Sequence, residues 1–342
     1  MGPRTSCRSA GACFVVAASA IAACVVSPAI CYSGEAKATN LDHSLRPRPR
    51  EAAYLSAVVA AGNTEKKLAA AAKLADLRAQ DIAASLVLSL NEAEPEVRVA
   101  VAEALGSCGN RGTVPWLILS LGDSSPKVAK AAHAAIERLT GRHDEFDADH
   151  GTQTQQKGHR RWSTWFCRTD WDTIETDLIA QISTVDFEAA REAIEALSHV
   201  AGDRGRFALL DFVARDGAAD ESLRLAALRA LGDLRDKDAV PLLRRVLEEA
   251  FGAITTAASQ NRKLDPEHPV VRLASVAIES LDRIGSTEAE QLLRAADQLV
   301  CSNDGAAENS GQTALATSAV LHHRILAALR NIEALRQRER LP

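Results

Sequence analysis

One helical phrase returns along this chain and constrains its fold more than any other feature. Pro95-Glu96-Val97-Arg98 opens a run carrying Ala100, Ala102, Ala104, Leu105 and Gly106. Pro126-Lys127-Val128 opens another, 31 residues further on, carrying Ala131, Ala132, Ala135, Ile136 and Leu139. Glu221-Ser222-Leu223-Arg224 repeats the phrase with Ala226, Ala227, Leu228, Ala230, Leu231 and Gly232, and Pro269-Val270-Val271-Arg272 does so with Ala274, Val276, Ala277, Ile278 and Leu281. Apolar residues three and four apart make each run an amphipathic helix. One such helix cannot enclose its apolar stripe alone, so units recurring at this period stack into a solenoid of helix pairs. A solenoid grows by adding units, and 342 residues then read as one repeat body rather than two ordinary domains.

Composition agrees. Aromatic residues make up only 4% of the chain and alanine is abundant, which suits closely packed helices and argues against an all-β or large α/β core. The formal charge is −5, with both signs interspersed along the repeat helices, so no face reads as a nucleic-acid footprint.

The partner helix of the pair recurs as well, as Val114-Pro115-Trp116-Leu117 and Val240-Pro241-Leu242-Leu243. Together the two phrases resemble HEAT repeats, in particular the short variety of bilin-lyase-like HEAT proteins. The resemblance implies an all-α fold, an α-solenoid (alpha-alpha superhelix) of about six helix pairs with one Trp-containing insertion. Repeat units of this kind are expected to touch only their neighbours and to form an elongated body. Leu139-Thr140-Gly141, Phe146, Asp147, Asp149 and Arg160-Arg161-Trp162-Ser163-Thr164-Trp165-Phe166 further resemble a segment of exported HEAT-repeat proteins of planctomycete-type bacteria. That likeness implies no activity.

Before the repeats, Arg4 and Arg8 precede an uncharged apolar stretch from Ala10 to Val26, and residues 1–23 read as a signal peptide. Ile21-Ala22-Ala23-Cys24 looks like a bacterial lipobox, which would place a lipid on Cys24; cleavage after Ala29 or Ala38, or retention as a short anchor, are the alternatives. Residues 24–49, ending in Arg46-Pro47-Arg48-Pro49, read as a disordered linker. HEAT-like repeats are expected over 50–140 and 172–300, separated by a Trp-rich insertion at 141–171. A flexible loop at 301–312 and a C-terminal capping helix at 313–342 follow. Gly106, Gly141, Gly202 and Gly285 fit helix C-caps, Pro95, Pro126 and Pro269 fit helix starts, and Thr64 fits an N-cap.

Few constellations suggest chemistry. Glu145, Asp147 and Asp149 are spaced like the start of an EF-hand loop, but His150 stands where glycine is required and Gln156 where the bidentate Glu belongs, so a solvated acidic loop is expected. Trp162, Trp165 and Phe166 share one helical face and read as a structural wedge docked on the solenoid. Arg98, Arg224 and Arg272 recur at one repeat position, where pairing with an acid such as Asp123 or Glu94 is expected. His322-His323 lacks a third ligand. Cys108, Cys167 and Cys301 are too scattered for a disulfide framework. HEAT-like iron hydroxylases carry His-Glu pairs, and this chain has none; no phosphate loop, zinc motif or nucleophile elbow is present.

The sequence thus points to an exported scaffold that binds another protein in the bacterial envelope, without catalysis and without a cofactor. No nucleic acid is expected as partner, and membrane contact only through the N-terminal lipid or anchor. The expected interaction surface comprises Lys127, Lys130, His133, Glu137, Glu192, Glu195, His199 and Arg229. A bilin-lyase-like enzyme or enzyme accessory, and a self-associating envelope protein, are the competing readings.

Overall fold

A computed structural model describes residues 47–339 except 79, 150, 185, 216–219, 261, 263, 266 and 308–314. The expected signal peptide, Cys24 and the expected linker as far as residue 46 lie outside the described residues. Every regular element among the described residues is helical. In chain order the α-helices are α1 (Pro47–Ala61), α2 (Thr64–Leu77), α3 (Ala83–Val87), α4 (Pro95–Cys108), α5 (Val114–Ser120), α6 (Pro126–Thr140), α7 (Thr152–Arg168) and α8 (Trp171–Ile182). They continue as α9 (Phe187–Val200), α10 (Asp203–Ala214), α11 (Glu221–Asp233), α12 (Val240–Ser259), α13 (Pro269–Ile284), α14 (Thr287–Ala307) and α15 (Leu315–Glu339).

All but α7 fall into pairs, α1/α2, α3/α4, α5/α6, α8/α9, α10/α11, α12/α13 and α14/α15, so the described residues hold seven pairs of an all-α solenoid. The second helices pack side by side as one inner row, from α2 through α4, α6, α9, α11 and α13 to α15. Small residues let this row close up. A Cβ on Gly106 in α4 would stand 3.1 Å from the Ala135 Cα in α6, and one on Gly232 in α11 would stand 2.8 Å from the Ser280 Cα in α13. Gly106 is therefore a helix-contact residue inside α4, not the C-cap its position suggests.

The expectation that units touch only their neighbours is overturned. Arg78, just after α2, donates to Asp233 at the end of α11, and α15 packs on α1 as well as on α13 and α14. The inner row therefore curls until distant helices meet. Curvature of a solenoid follows from a small rotation added at each repeat, which the repeat period does not encode.

Local chemistry explains several helix ends. Asp170, Asp186 and Asp220 accept backbone N–H bonds at the starts of α8, α9 and α11. Asn63, rather than Thr64, does so for α2. Gly141 and Gly285 terminate α6 and α13 in the left-handed conformation, at φ 63° and 59°. Gly202, expected to close α9, instead precedes α10 as its N-cap. Two boundaries also move. Residues 47–49, assigned to the linker, open α1, because proline is tolerated in a first turn whose N–H groups lack helical partners. Residues 301–307, assigned to a loop, continue α14, since adding residues to a formed helix is far easier than starting one.

The core divides at the insertion. One apolar cluster is built from α1 to α6 and takes in Trp162, while a second runs from Ile174 to Ile332. Trp165 and Trp171 pack against both.

Candidate functional site

Two sets of polar side chains hold the halves together, and what they leave exposed is the candidate interaction surface. The first set lies where the α4–α5 turn meets α8, α9 and α10. Arg111 donates to the Val200 carbonyl at 2.6 Å, pairs with Glu175 at 3.2 Å and covers the Trp171 ring at 5.4 Å. Glu175 is buried, yet its other oxygen accepts the N–H groups of Gly202 and Gly205 at 2.7 and 2.6 Å. A buried carboxylate is thereby satisfied at a helix N-terminus, where the dipole also favours it. Nothing in the repeat phrase signals Arg111 or Glu175, because neither belongs to it.

The second set crosses the inner row. Arg78 donates to Asp233 at 2.9 Å and lies 3.7 Å from Glu195; Arg138 stands 3.8 Å from the same Glu195 oxygen, and Gln80 donates to the Ser198 carbonyl at 2.9 Å. Arg283 completes the chain by bonding Asp233 and Glu279. Asp233 is itself nearly enclosed, which makes its two guanidinium partners a requirement rather than an ornament.

This arrangement sorts the expected surface residues. Lys127, Lys130 and Arg229 are exposed. Glu192 is partly exposed and accepts from His143 at 2.8 Å. Glu195 is shared among Arg78, Arg138 and Arg191. His133 is half-buried, stacked on Phe146 with centroids 4.9 Å apart, and burial lowers its pKa against the opposing pull of Glu137 and Asp144. Glu137 lies 3.5 Å from both His133 and His143. His199 does not belong to any surface. It is 5% exposed, and burial, reinforced by Arg78 and Arg138, pushes it down to about 3. The helical period puts it on the row, but the curling of the row encloses it.

Around the insertion the aromatic rings form a continuous chain. His133 meets Trp162 edge-on at 5.6 Å, Trp162 meets Trp165 at 5.4 Å, Trp165 meets Phe166 at 6.3 Å and Phe166 meets Trp171 at 5.9 Å. The Arg142 guanidinium lies over Trp165 at 5.0 Å and Trp162 at 5.6 Å. Trp162 is fully enclosed; Trp165 and Phe166 are partly so. The acids before α7 are engaged by cations: Asp144 by Arg142 and Arg161 at 2.8 Å each, and Asp149 by Lys130. Among the described residues no group of three or more His, Cys, Asp or Glu side chains converges as metal ligands do.

The recurring arginines divide. Arg98 holds Asp123 with two hydrogen bonds of 2.8 Å and also donates to the Glu92 and Ala93 carbonyls. Burial alone would raise the Asp123 carboxyl, but bonds from Arg98 and the Ser125 N–H hold it below the usual range. Arg224 pairs with Glu249 at 3.1 Å, whereas Arg272 stands exposed. His322 faces Asp297 at 2.9 Å and His323 faces solvent, so the two do not act together.

The family model for HEAT repeats matches residues 52–137, and that for the PBS lyase HEAT-like repeat matches residues 223–249. The chain carries HEAT repeats. The first match spans the HEAT pairs from α1 to α6, and the second joins the inner helix α11 to the following α12. Human deoxyhypusine hydroxylase in complex with glycerol is similar over 83% of this HEAT-repeat chain and 96% of its own, at 16% identity and TM-score 0.31. An engineered protein is similar over 83% and 97%, at 16% identity and TM-score 0.23. No curated protein matches the chain.

Proposed function

We propose that this HEAT-repeat chain is an exported scaffold that binds another protein in the bacterial envelope and performs no catalysis of its own. The observation that carries the reading is the ion-paired inner row. Its helices are tied across the solenoid by Arg78, Glu195, Asp233 and Arg283, and they leave Lys127, Lys130 and Arg229 facing solvent on a preformed surface. A surface already ordered loses little entropy when a partner docks. Export rests on the charged start and apolar run of residues 1–26, and Cys24 is the proposed lipid site.

The test uses the full chain expressed in a bacterial host. Fractionation should place it in the envelope, and cross-linking there should capture a defined partner that is lost on Lys127→Glu/Lys130→Glu/Arg229→Glu substitution while the fold persists. Cytoplasmic retention refutes export. Capture that is indifferent to the triple substitution removes the inner row as the binding surface.

A further inference from the structure

We infer that Arg78 and His199 form an acid-sensitive latch that holds the inner row in its curled state. The latch operates whether or not the scaffold reading holds, since it concerns how the row is closed and not what docks on it. In chain order α4, α6 and α9 lie between α2 and α11, so the repeat itself does not bring these two helices together. Arg78 does. It donates to Asp233 at 2.9 Å, and Gln80, two residues on, donates to the Ser198 carbonyl at 2.9 Å. Apolar packing gives no help at this place: Ala70, Ala71 and Leu74 of α2 belong to the first core cluster, and among the described residues no side chain of α2 enters the second. Arg78 also sits in the left-handed conformation, at φ 45° and ψ 45°, which is costly for any residue with a side chain. A closure made of polar ties at a strained residue is the part of the curl that yields first.

His199 lies under this closure. It follows Ser198, is enclosed, and neither of its ring nitrogens has a hydrogen-bond partner. Two guanidinium groups face it, Arg78 from the end of α2 and Arg138 from α6, while the Gly109 backbone after α4 pulls the other way without closing a hydrogen bond of normal geometry. The remaining charges nearby are shared or committed. Glu195, one turn back on α9, lies 3.7 Å from Arg78, 3.8 Å from Arg138 and 3.8 Å from Arg191. Asp233 of α11 is held by Arg78 and Arg283, and Arg111 by Glu175 and the Val200 carbonyl. Closed, the site keeps the imidazole neutral: burial, with the Arg78 and Arg138 charges, pushes its pKa down to about 3.

A proton on His199 would set three positive charges in one enclosed place. Arg138 belongs to α6, which packs directly on α9, whereas Arg78 reaches across the curl, so the repulsion is relieved where only side chains close the row. Linkage sets the size of the response. In the open state the imidazole is hydrated and titrates near its ordinary value of 6.5, so below that pH each unit shifts the ratio of open to closed molecules by up to about tenfold, down to about pH 3. Above 6.5 the latch stays shut. His133 and His159, also lowered by burial, lie against the insertion and not at this closure.

Small-angle scattering of the intact chain from about pH 7.5 to about pH 5, with circular dichroism on the same samples, tests the latch. The native radius of gyration should rise reversibly below about pH 6.5, at unchanged helix content and independently of protein concentration, with the open fraction growing by up to about tenfold per pH unit. His199→Leu, or His199→Gln where leucine disturbs the fold, should stay compact at about pH 5, and Arg78→Ala should be expanded already at about pH 7.5. An unchanged radius in the native chain, expansion that comes only with loss of helix or with rising concentration, a His199 variant that expands as the native chain does, or a compact Arg78→Ala chain overturns the inference.

Discussion

Trp162 and His199 show how far a single residue's surroundings depend on the whole stack. The spacing of Trp162, Trp165 and Phe166 places them together, but only Trp162 is enclosed on all sides. Trp162→Ala should therefore destabilise the chain by about 3–5 kcal/mol, and Trp165→Ala by less, as measured by urea unfolding. Equal losses would mean that the junction is packed differently. His199 makes a prediction about pH. Its folded pKa is depressed to about 3, so below the ordinary value of 6.5 the unfolded imidazole binds a proton that the folded one refuses. Stability should fall as pH drops from 6.5 toward 3, at a slope of up to about 1.4 kcal/mol per pH unit from this group. His133 and His159, also lowered by burial, act in the same sense. In His199→Leu the slope measured by unfolding at successive pH values should be shallower, and an identical slope would show that His199 is not the buried group that titrates.

At the scale of elements, the repeat phrase made the inner helices readable because their apolar spacing, opening prolines and closing glycines all agree. Pro126, Gly141, Pro269 and Gly285 sit at the ends the pattern assigns to them. Where the sequence misleads, packing decides. Gly106 resembles a C-cap and is instead a contact between α4 and α6, and residues 301–307 have loop composition yet prolong a helix already formed. Arg111 and Glu175 gave no signal, since their pairing depends on the approach of a turn and a helix 64 residues apart. The role given to close inner contacts has a direct consequence. Gly232→Ala would put a methyl group 2.8 Å from the Ser280 Cα, so its loss from overpacking, about 1–3 kcal/mol, should exceed the gain from alanine's better helix propensity. A thermal melt that rises on this substitution would show that α11 and α13 have room to spare.

For the whole molecule, the period predicts a stack of units but not how tightly the stack curls, and the curl is what converts two runs of repeats into one structure. Arg78 and Arg111 reach from the first run into the second, while Trp165 and Trp171 share both apolar cores. Curling also encloses part of the row that the helical period alone would leave open, which is why Glu195 and His199 are committed across the row, whereas Lys127 and Arg229 stay exposed and Lys130, also exposed, pairs only with Asp149 of the insertion. Differential scanning calorimetry of the native chain beside an Arg78→Ala/Arg111→Ala variant tests this coupling most directly. One cooperative transition is expected for the native chain, separating into two in the variant as each run of repeats melts by itself. Two transitions in the native chain, or a variant that melts as the native chain does, would contradict the account.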